Sequence, residues 1–190
     1  MVQIGYTLSS EEFNGTELID HAVKAEETGF DFASISDHFH PWMDSQGHSP
    51  FVWSVLGGIA TRTSQIPIMT GVTPLSHHYH PTIMAQAAAT VADMMPGRFS
   101  FGIGTGEALN EHITGKVWPP VSVRQAMMKE SLEIIRELWE GNYTTVEGEY
   151  YTVHNAKLYT LPKELPPVII SATGPESATI AGKIGDAIVS

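Results

Sequence analysis

The sequence predicts an α/β fold in which a parallel sheet is built from alternating strands and helices. Short apolar segments rich in β-branched residues recur along the chain, separated by segments with helical periodicity. The alternation continues into a sixth strand, and parallel strands need such crossovers. The predicted strand ends are rich in glycine and polar residues, which is typical of the functional rim of such folds.

The first half of the chain contains predicted strands of mainly apolar and β-branched residues at 2–7, 30–36 and 66–72. The helix after the first strand is capped by Asn14 or Thr16 and ends at Gly29, because these residue types suit the two helix ends. A long polar loop covers residues 37–50, and a second helix is predicted at residues 51–63.

The second half continues the same pattern. A helix begins at Pro81, since proline suits the first turn, and ends near Met95. The remaining predicted elements are a strand at 98–104, an amphipathic helix at 121–140, a hairpin at 142–153, a strand at 167–171, a helix at 175–183 and a strand at 186–189.

Residues 1–190 are predicted to form one domain, because neither a linker nor a fixed repeat divides them. The given sequence ends inside a predicted strand, whereas a closed eight-stranded β/α barrel needs about 250 residues. We therefore interpret residues 1–190 as the N-terminal part of a longer barrel, with an open sheet as the alternative.

Charge and composition limit the classes of partner. The formal net charge of −11 argues against nucleic acid and anionic membranes as partners. The absence of cysteine excludes disulfides and thiol nucleophiles. No basic region precedes an apolar run at the N-terminus, and no apolar run reaches membrane-spanning length. These features predict a cytoplasmic protein with a small-molecule substrate.

Two strand exits combine carboxylates with other polar groups. The second strand leads into Asp37 and His38, and a histidine beside a carboxylate can take a proton from a hydroxyl. The glycine-rich run that follows the strand at 98–104 leads into Glu107 and Asn110. The alternative is that Asp37 caps its loop while His38 is structural. Glu11, after the first strand, is interpreted as a solvated side chain that could also point into the site.

Other exits admit more than one interpretation. Gly71 favours a bulge or a simple turn at the end of the third strand. Thr173 and Gly174 precede a helix, where free N–H groups can bind an anion, although a plain turn fits equally well. The spacing of His38 and His40 is typical of zinc ligands, but the pair follows the second strand instead of lying on the first. We therefore predict no metal.

Three segments resemble the F420-dependent glucose-6-phosphate dehydrogenases, a deazaflavin-dependent branch of the bacterial luciferase-like superfamily. They are Ser36–Trp42, Gly104–Glu111 and the Gly174–Pro175 turn, and the similarity extends in order over the 190 residues. The resemblance implies a (β/α)8 TIM barrel of luciferase-like type, of which this chain supplies roughly the first five to six βα units. It also implies a homodimer that binds coenzyme F420 at the strand ends.

The resemblance implies a role for each matching residue. Hydride transfer would run from an alcohol carbon, with a sugar phosphate as one candidate substrate, to F420. His38 would be the base, Trp42 would stabilise the bound intermediate, and Glu107 would be the acid that serves the reduced ring. The cofactor-binding residues would be Asp37 at the ring, Gly71 and Val72 in a bulge behind it (often with a cis peptide), Asn110, and Thr173 and Gly174 at the phosphate.

Two other functions stay open at this point. One is an FMN-dependent luciferase-like monooxygenase, against which the run from Glu107 to Asn110 argues. The other is an incomplete barrel without catalytic activity, which the end of the sequence at Ser190 favours.

Overall fold

The computed structural model describes residues 2–190. Its strands are β1 (Gly5–Leu8), β2 (Phe32–Ile35), β3 (Ile68–Thr70), β4 (Thr73–Pro74), β5 (Phe99–Gly104), β6 (Thr144–Glu147), β7 (Thr152–Ala156), β8 (Val168–Ser171) and β9 (Ala187–Val189). Its α-helices are α1 (Gly15–Thr28), α2 (Val52–Arg62), α3 (Pro81–Met94), α4 (Ala108–Glu111), α5 (Val121–Trp139) and α6 (Pro175–Ile184).

The main sheet confirms the predicted parallel α/β architecture. Its strands lie in the order β1-β2-β3-β5-β8-β9, β4 pairs with β5, and every neighbouring pair is parallel. The predicted hairpin forms separately from β6 and β7 as an antiparallel pair. Because the strands are parallel, their carboxyl ends all meet at one rim of the sheet.

The helix α1 has the ends that its sequence predicts. The side chain of Asn14 accepts from the N–H groups of Thr16 and Glu17, and Glu17 accepts from the N–H of Asn14 in return. Gly29 ends the helix in the left-handed conformation, with φ of 83°. These local contacts satisfy the terminal backbone groups, so α1 needs no distant partner to set its bounds.

The core lies between the sheet and the helices α1, α2, α3 and α5. Strand side chains such as Ile35 and Phe101 are fully buried. Helix residues such as Leu18, Ile59 and Leu132 cover them with apolar surface. Burial of this kind is the main free energy that holds the sheet and helices together.

Some short elements differ from the prediction. The strand expected at residues 66–72 is shortened to β3, and β4 follows it separately, because the chain leaves the ladder at Gly71 and Val72. The short helix α4 and the 3₁₀ turn at His112–Thr114 were not predicted, because four helical residues are too few for a periodic apolar pattern.

At the amino ends of the strands, side-chain hydrogen bonds hold the connecting segments together. The carboxylate of Glu26 accepts from the N–H groups of Ser64, Gln65 and Ile66 at the start of the segment leading into β3. The guanidinium of Arg98 donates to the hydroxyl of Thr63 and to the carbonyl of Ile66. We call this region the basal rim. No helix within residues 2–190 is both long and apolar enough to cross a lipid bilayer.

Candidate active site

The carboxyl-end loops of the sheet surround a cavity of about 700 Å³. This volume lies within the range of about 300–1,000 Å³ that is usual for cofactor and substrate sites. The predicted site residues that line it are Asp37, His38, Trp42, Gly71, Val72, Glu107, Asn110 and Thr173. Gly174 is not on the cavity wall but lies next to Thr173, as the N-cap of α6. The carboxyl ends of the parallel strands therefore bring these residues to one cavity.

His38 lies between two carboxylates from different strands. Its Nδ1 atom is 2.6 Å from Oε1 of Glu11, and its Nε2 atom is 4.0 Å from Oε2 of Glu107. The two groups are in close contact without an aligned hydrogen bond, and they form an ion pair only when the imidazole is protonated. With Nδ1 facing Glu11, the ring directs Nε2 towards the cavity, where it can accept or donate a proton.

Of the two interpretations of Glu11, the structure contradicts the solvated one and agrees with a side chain that points into the site. Glu11 is 4% exposed and its second carboxylate oxygen, Oε2, accepts from the hydroxyl groups of Ser9 and Ser36. The turn after β1 directs the side chain inwards, where the two serines bond Oε2 and the imidazole of His38 lies against Oε1. The location of Glu11 depends on contacts between the loop after β1 and the loop after β2. The sequence of residues 9–12 alone does not predict these contacts.

The protonation of this pair follows from its contacts. Burial alone would raise the pKa of Glu11, but His38, Ser36 and backbone bonding lower the pKa to about 2. Burial alone would lower the pKa of His38, but Glu11, with added effects of Glu107 and Asp37, raises the pKa above its ordinary value. The glutamate is therefore ionised and holds the imidazole in a fixed orientation.

Asp37 is a buried carboxyl on the cavity wall. It is 2% exposed, and its two oxygens accept from the hydroxyl groups of Thr73 at 2.8 Å and Tyr79 at 3.0 Å. Burial raises the pKa of Asp37 to about 6, although the two hydroxyl bonds oppose the shift. The pKa of Asp37 thus lies closer to neutrality than that of an ordinary aspartate.

The aromatic side chain of Trp42 forms one wall beside His38. Its ring is 55% exposed and meets the imidazole edge to face, with centroids 5.3 Å apart. On the strand side, the peptide bond between Gly71 and Val72 is cis, as the resemblance implies. The cavity thus has a tryptophan on one side and the Gly71–Val72 backbone on another.

Asn110 anchors the loop that carries His38. Its side-chain oxygen accepts from the N–H groups of Phe39 at 2.8 Å and His40 at 2.9 Å. The side chain is buried yet lines the cavity. The role implied by the resemblance was a cofactor contact, and the structure adds this structural bond, which sequence reasoning missed.

The cavity wall near β8 combines a helix start with a cation. Thr173 and Ser177 line the cavity at the beginning of α6, where the first backbone N–H groups have no partner within the helix. Arg124 of α5 also lines the cavity, and its guanidinium lies 4.3 Å from the ring centroid of Trp118. Its Nε atom is buried without a hydrogen-bond partner among residues 2–190. Sequence reasoning did not identify Arg124, because its spacing in α5 is only that of an amphipathic helix.

The two histidines whose spacing suggested a metal site have other neighbours. Nδ1 of His38 faces Glu11, and the ring of His40 stacks on that of His112, with centroids 5.2 Å apart. Within residues 2–190, no group of three histidine, aspartate or glutamate side chains is arranged to hold a metal ion.

The family model of the luciferase-like monooxygenases matches residues 1–190. The chain is 44% identical over 188 residues to an F420-dependent glucose-6-phosphate dehydrogenase of Nakamurella multipartita, covering 99% of this chain and 56% of that protein. A solved F420-dependent secondary alcohol dehydrogenase, in complex with an F420–acetone adduct, superposes with a TM-score of 0.94 at 38% identity, over 98% of this chain and 57% of that one.

A second similar solved structure is the F420-dependent tetrahydromethanopterin reductase of Methanopyrus kandleri. It has a TM-score of 0.81 at 26% identity and covers 98% of this chain and 55% of that one. The chain therefore spans little more than half the length of the relatives it matches.

Proposed function

We propose, since this chain belongs to the luciferase-like monooxygenase family, that it forms the N-terminal part of an F420-dependent dehydrogenase acting on an alcohol carbon. The observation that carries the proposal is the position of His38 on the cavity wall, between the carboxylates of Glu11 and Glu107. The names of similar relatives, which are dehydrogenases of glucose 6-phosphate and of a secondary alcohol, support it.

The residues around the cavity fit a flat ring that carries an anionic chain. Asp37 offers a polar contact to the ring edge, and Gly71 and Val72 offer a backbone surface beside it. Thr173 and the start of α6 suit a phosphate group, and Arg124 adds a positive charge to a wall that is otherwise acidic. The proposed cofactor contacts are thus Asp37, Gly71, Val72, Asn110, Thr173 and Gly174.

In the proposed mechanism, His38 is the general base. F420 supplies, when bound, a ring carbon that accepts a hydride from the alcohol carbon. The hydroxyl proton passes to Nε2 of His38 while the carbon–oxygen bond becomes a carbonyl. Glu11 stabilises the imidazolium that results, because its ionised carboxylate lies against Nδ1. The chain thereby removes the proton and holds its charge, and F420 would supply the hydride acceptor.

Glu107 and Trp42 complete the proposed site. Glu107 lies beside Nε2 of His38 and is partly exposed, so it can reach both solvent and a bound ring, and we assign it the acid role toward the reduced cofactor. The indole of Trp42 covers the bound substrate and excludes water from the reacting atoms. The substrate is a small hydroxylated compound, with a sugar phosphate favoured by the named relatives. We further propose a homodimer located in the cytoplasm.

Cofactor binding tests the proposal directly. The protein is expected to bind F420, seen as a change in deazaflavin fluorescence on titration, and to bind FMN at least about tenfold more weakly. Tight binding of FMN with none of F420 would replace the proposal by the monooxygenase alternative. Binding of neither would leave the non-catalytic barrel as the remaining interpretation.

Glu11→Gln tests the pairing with His38. Because the carboxylate raises the pKa of His38, its removal is expected to move the acidic limb of the kcat/KM profile for alcohol oxidation to lower pH. The imidazolium also loses its charged partner, so kcat falls by about 10- to 100-fold. The pH profile is measured on the whole protein that the gene encodes. Glu12→Gln is the matched control, since Glu12 is exposed, and an unmoved acidic limb in Glu11→Gln refutes the pairing.

A further inference from the structure

A buried carboxylate in α4 has no part in the mechanism above. Glu111 is 1% exposed, and its Oε2 atom accepts from the backbone N–H of His78 at 2.8 Å. Its neighbour Asn110 accepts from the loop after β2, so consecutive residues of α4 bond to two different loops. The hydrogen bond that Glu111 accepts comes from His78, which lies in the segment between β4 and α3.

We propose that Glu111 is a positioning residue that holds the β4–α3 loop against the β5–α4 loop and thereby sets the placement of Asp37 and Glu107. The path to Asp37 is short. The ring of His78 stacks on that of Tyr79, with centroids 4.1 Å apart, and the hydroxyl of Tyr79 donates to Asp37. A shift of the backbone at His78 therefore moves the donor that orients Asp37.

The path to Glu107 passes through Gly106. Gly106 has φ of 76°, and a β-carbon placed there would lie 3.0 Å from Oε1 of Glu111 and 3.1 Å from Cβ of Pro74. The turn that presents Glu107 is thus packed directly on the carboxylate of Glu111 and on the end of β4. Loss of the carboxylate removes the surface on which this turn rests.

The chemistry around Glu111 argues that this residue positions the loop and does not merely fill space. Oε1 of Glu111 and Nδ1 of His78 are buried, lack hydrogen-bond partners among the described residues and lie 4.0 Å apart. A buried carboxylate with one unbonded oxygen costs stability, and an apolar side chain of similar size often packs as well or better. Only an acceptor, however, can hold the N–H of His78. Burial also raises the pKa of Glu111, which agrees with this desolvated location.

The inference rests on the proposed function, and its test compares Glu111→Gln with Glu111→Leu. The amide oxygen of glutamine still accepts from His78, so Glu111→Gln is expected to keep the F420 dissociation constant within about threefold of wild type. Leucine removes the acceptor, and the dissociation constant is expected to rise about tenfold or more. Ile59→Val, in the core of α2, is the control for loss of stability alone and is expected to leave affinity unchanged well below its melting temperature.

Amide hydrogen exchange at His78 gives a readout that does not require F420. Exchange is expected to accelerate in Glu111→Leu and to stay slow in Glu111→Gln and Ile59→Val. If Glu111→Leu fails to fold, Glu111→Asp replaces it, because its side chain is one methylene too short to reach His78. A wild-type protein that does not bind F420 refutes the proposed function, whereas unchanged exchange and affinity in the leucine or aspartate variant refute positioning. Equal losses in Glu111→Gln and Glu111→Leu also refute it.

Discussion

His38→Ala is expected to lower the rate of alcohol oxidation by about 10²- to 10⁴-fold, the range over which general bases contribute. The imidazole is the group on the cavity wall whose Nε2 can take the hydroxyl proton while Glu11 holds Nδ1. The dissociation constant of F420 is expected to change by less than about threefold, because the proposed ring and phosphate contacts lie elsewhere. Steady-state kinetics and fluorescence titration measure the two quantities separately.

His154→Ala is the matched control for this variant. His154 is exposed on β7, in the hairpin outside the main sheet, so its loss is expected to leave both rate and affinity at wild-type values. If His38→Ala turns over alcohol at the wild-type rate, His38 is not the base. If affinity for F420 collapses together with the rate, His38 acts mainly in binding.

Gly102→Ala is expected to destabilise the protein by about 3 kcal/mol or more. A methyl group on this residue of β5 would overlap the backbone carbonyl oxygen of Thr70 in β3. Separating β3 from β5 to make room would break further contacts. Thr70 donates its hydroxyl to the carbonyl of Gly102 at 2.7 Å, and Gly102 is also paired with Ile169 in β8. Urea denaturation followed by circular dichroism measures the loss.

Gly182→Ala serves as the opposite control. Gly182 lies inside α6, and a β-carbon there would meet no atom within 4 Å. Alanine favours the helix over glycine, so this variant is expected to gain about 0.5–1 kcal/mol of stability. If Gly102→Ala is as stable as wild type, the close approach of β3 and β5 does not require glycine.

The parts of the fold that the sequence predicts depend on residues close to one another in the chain. Asn14 and Gly29 bound α1 through bonds to residues within a few positions, so the sequence alone locates that helix. The alternation of strands and helices also predicts the parallel sheet, and with it the meeting of His38 and Glu107 at one rim. Those two residues were found because each follows a strand directly.

The residues that were missed depend on contacts between distant segments. The sequence left Glu11 open between solvent and the site, and its burial depends on Ser36 and His38, which follow the next strand. Gly102 of β5 makes room for the backbone of β3, and only the pairing of these two strands reveals it. Glu111 follows the same rule, because its partner at His78 is more than thirty residues away. Tertiary contacts of this kind leave no periodic or spacing signal.

The basal rim separates stability from chemistry in this protein. Glu26 and Arg98 bind the short connections there, at the opposite ends of the strands from the loops that carry His38, Asp37 and Glu107. Directed evolution of substrate choice can therefore concentrate random libraries on one set of loops while the other set preserves expression and solubility. Exchanging whole carboxyl-end loops between homologous enzymes should likewise yield chimaeras that still fold.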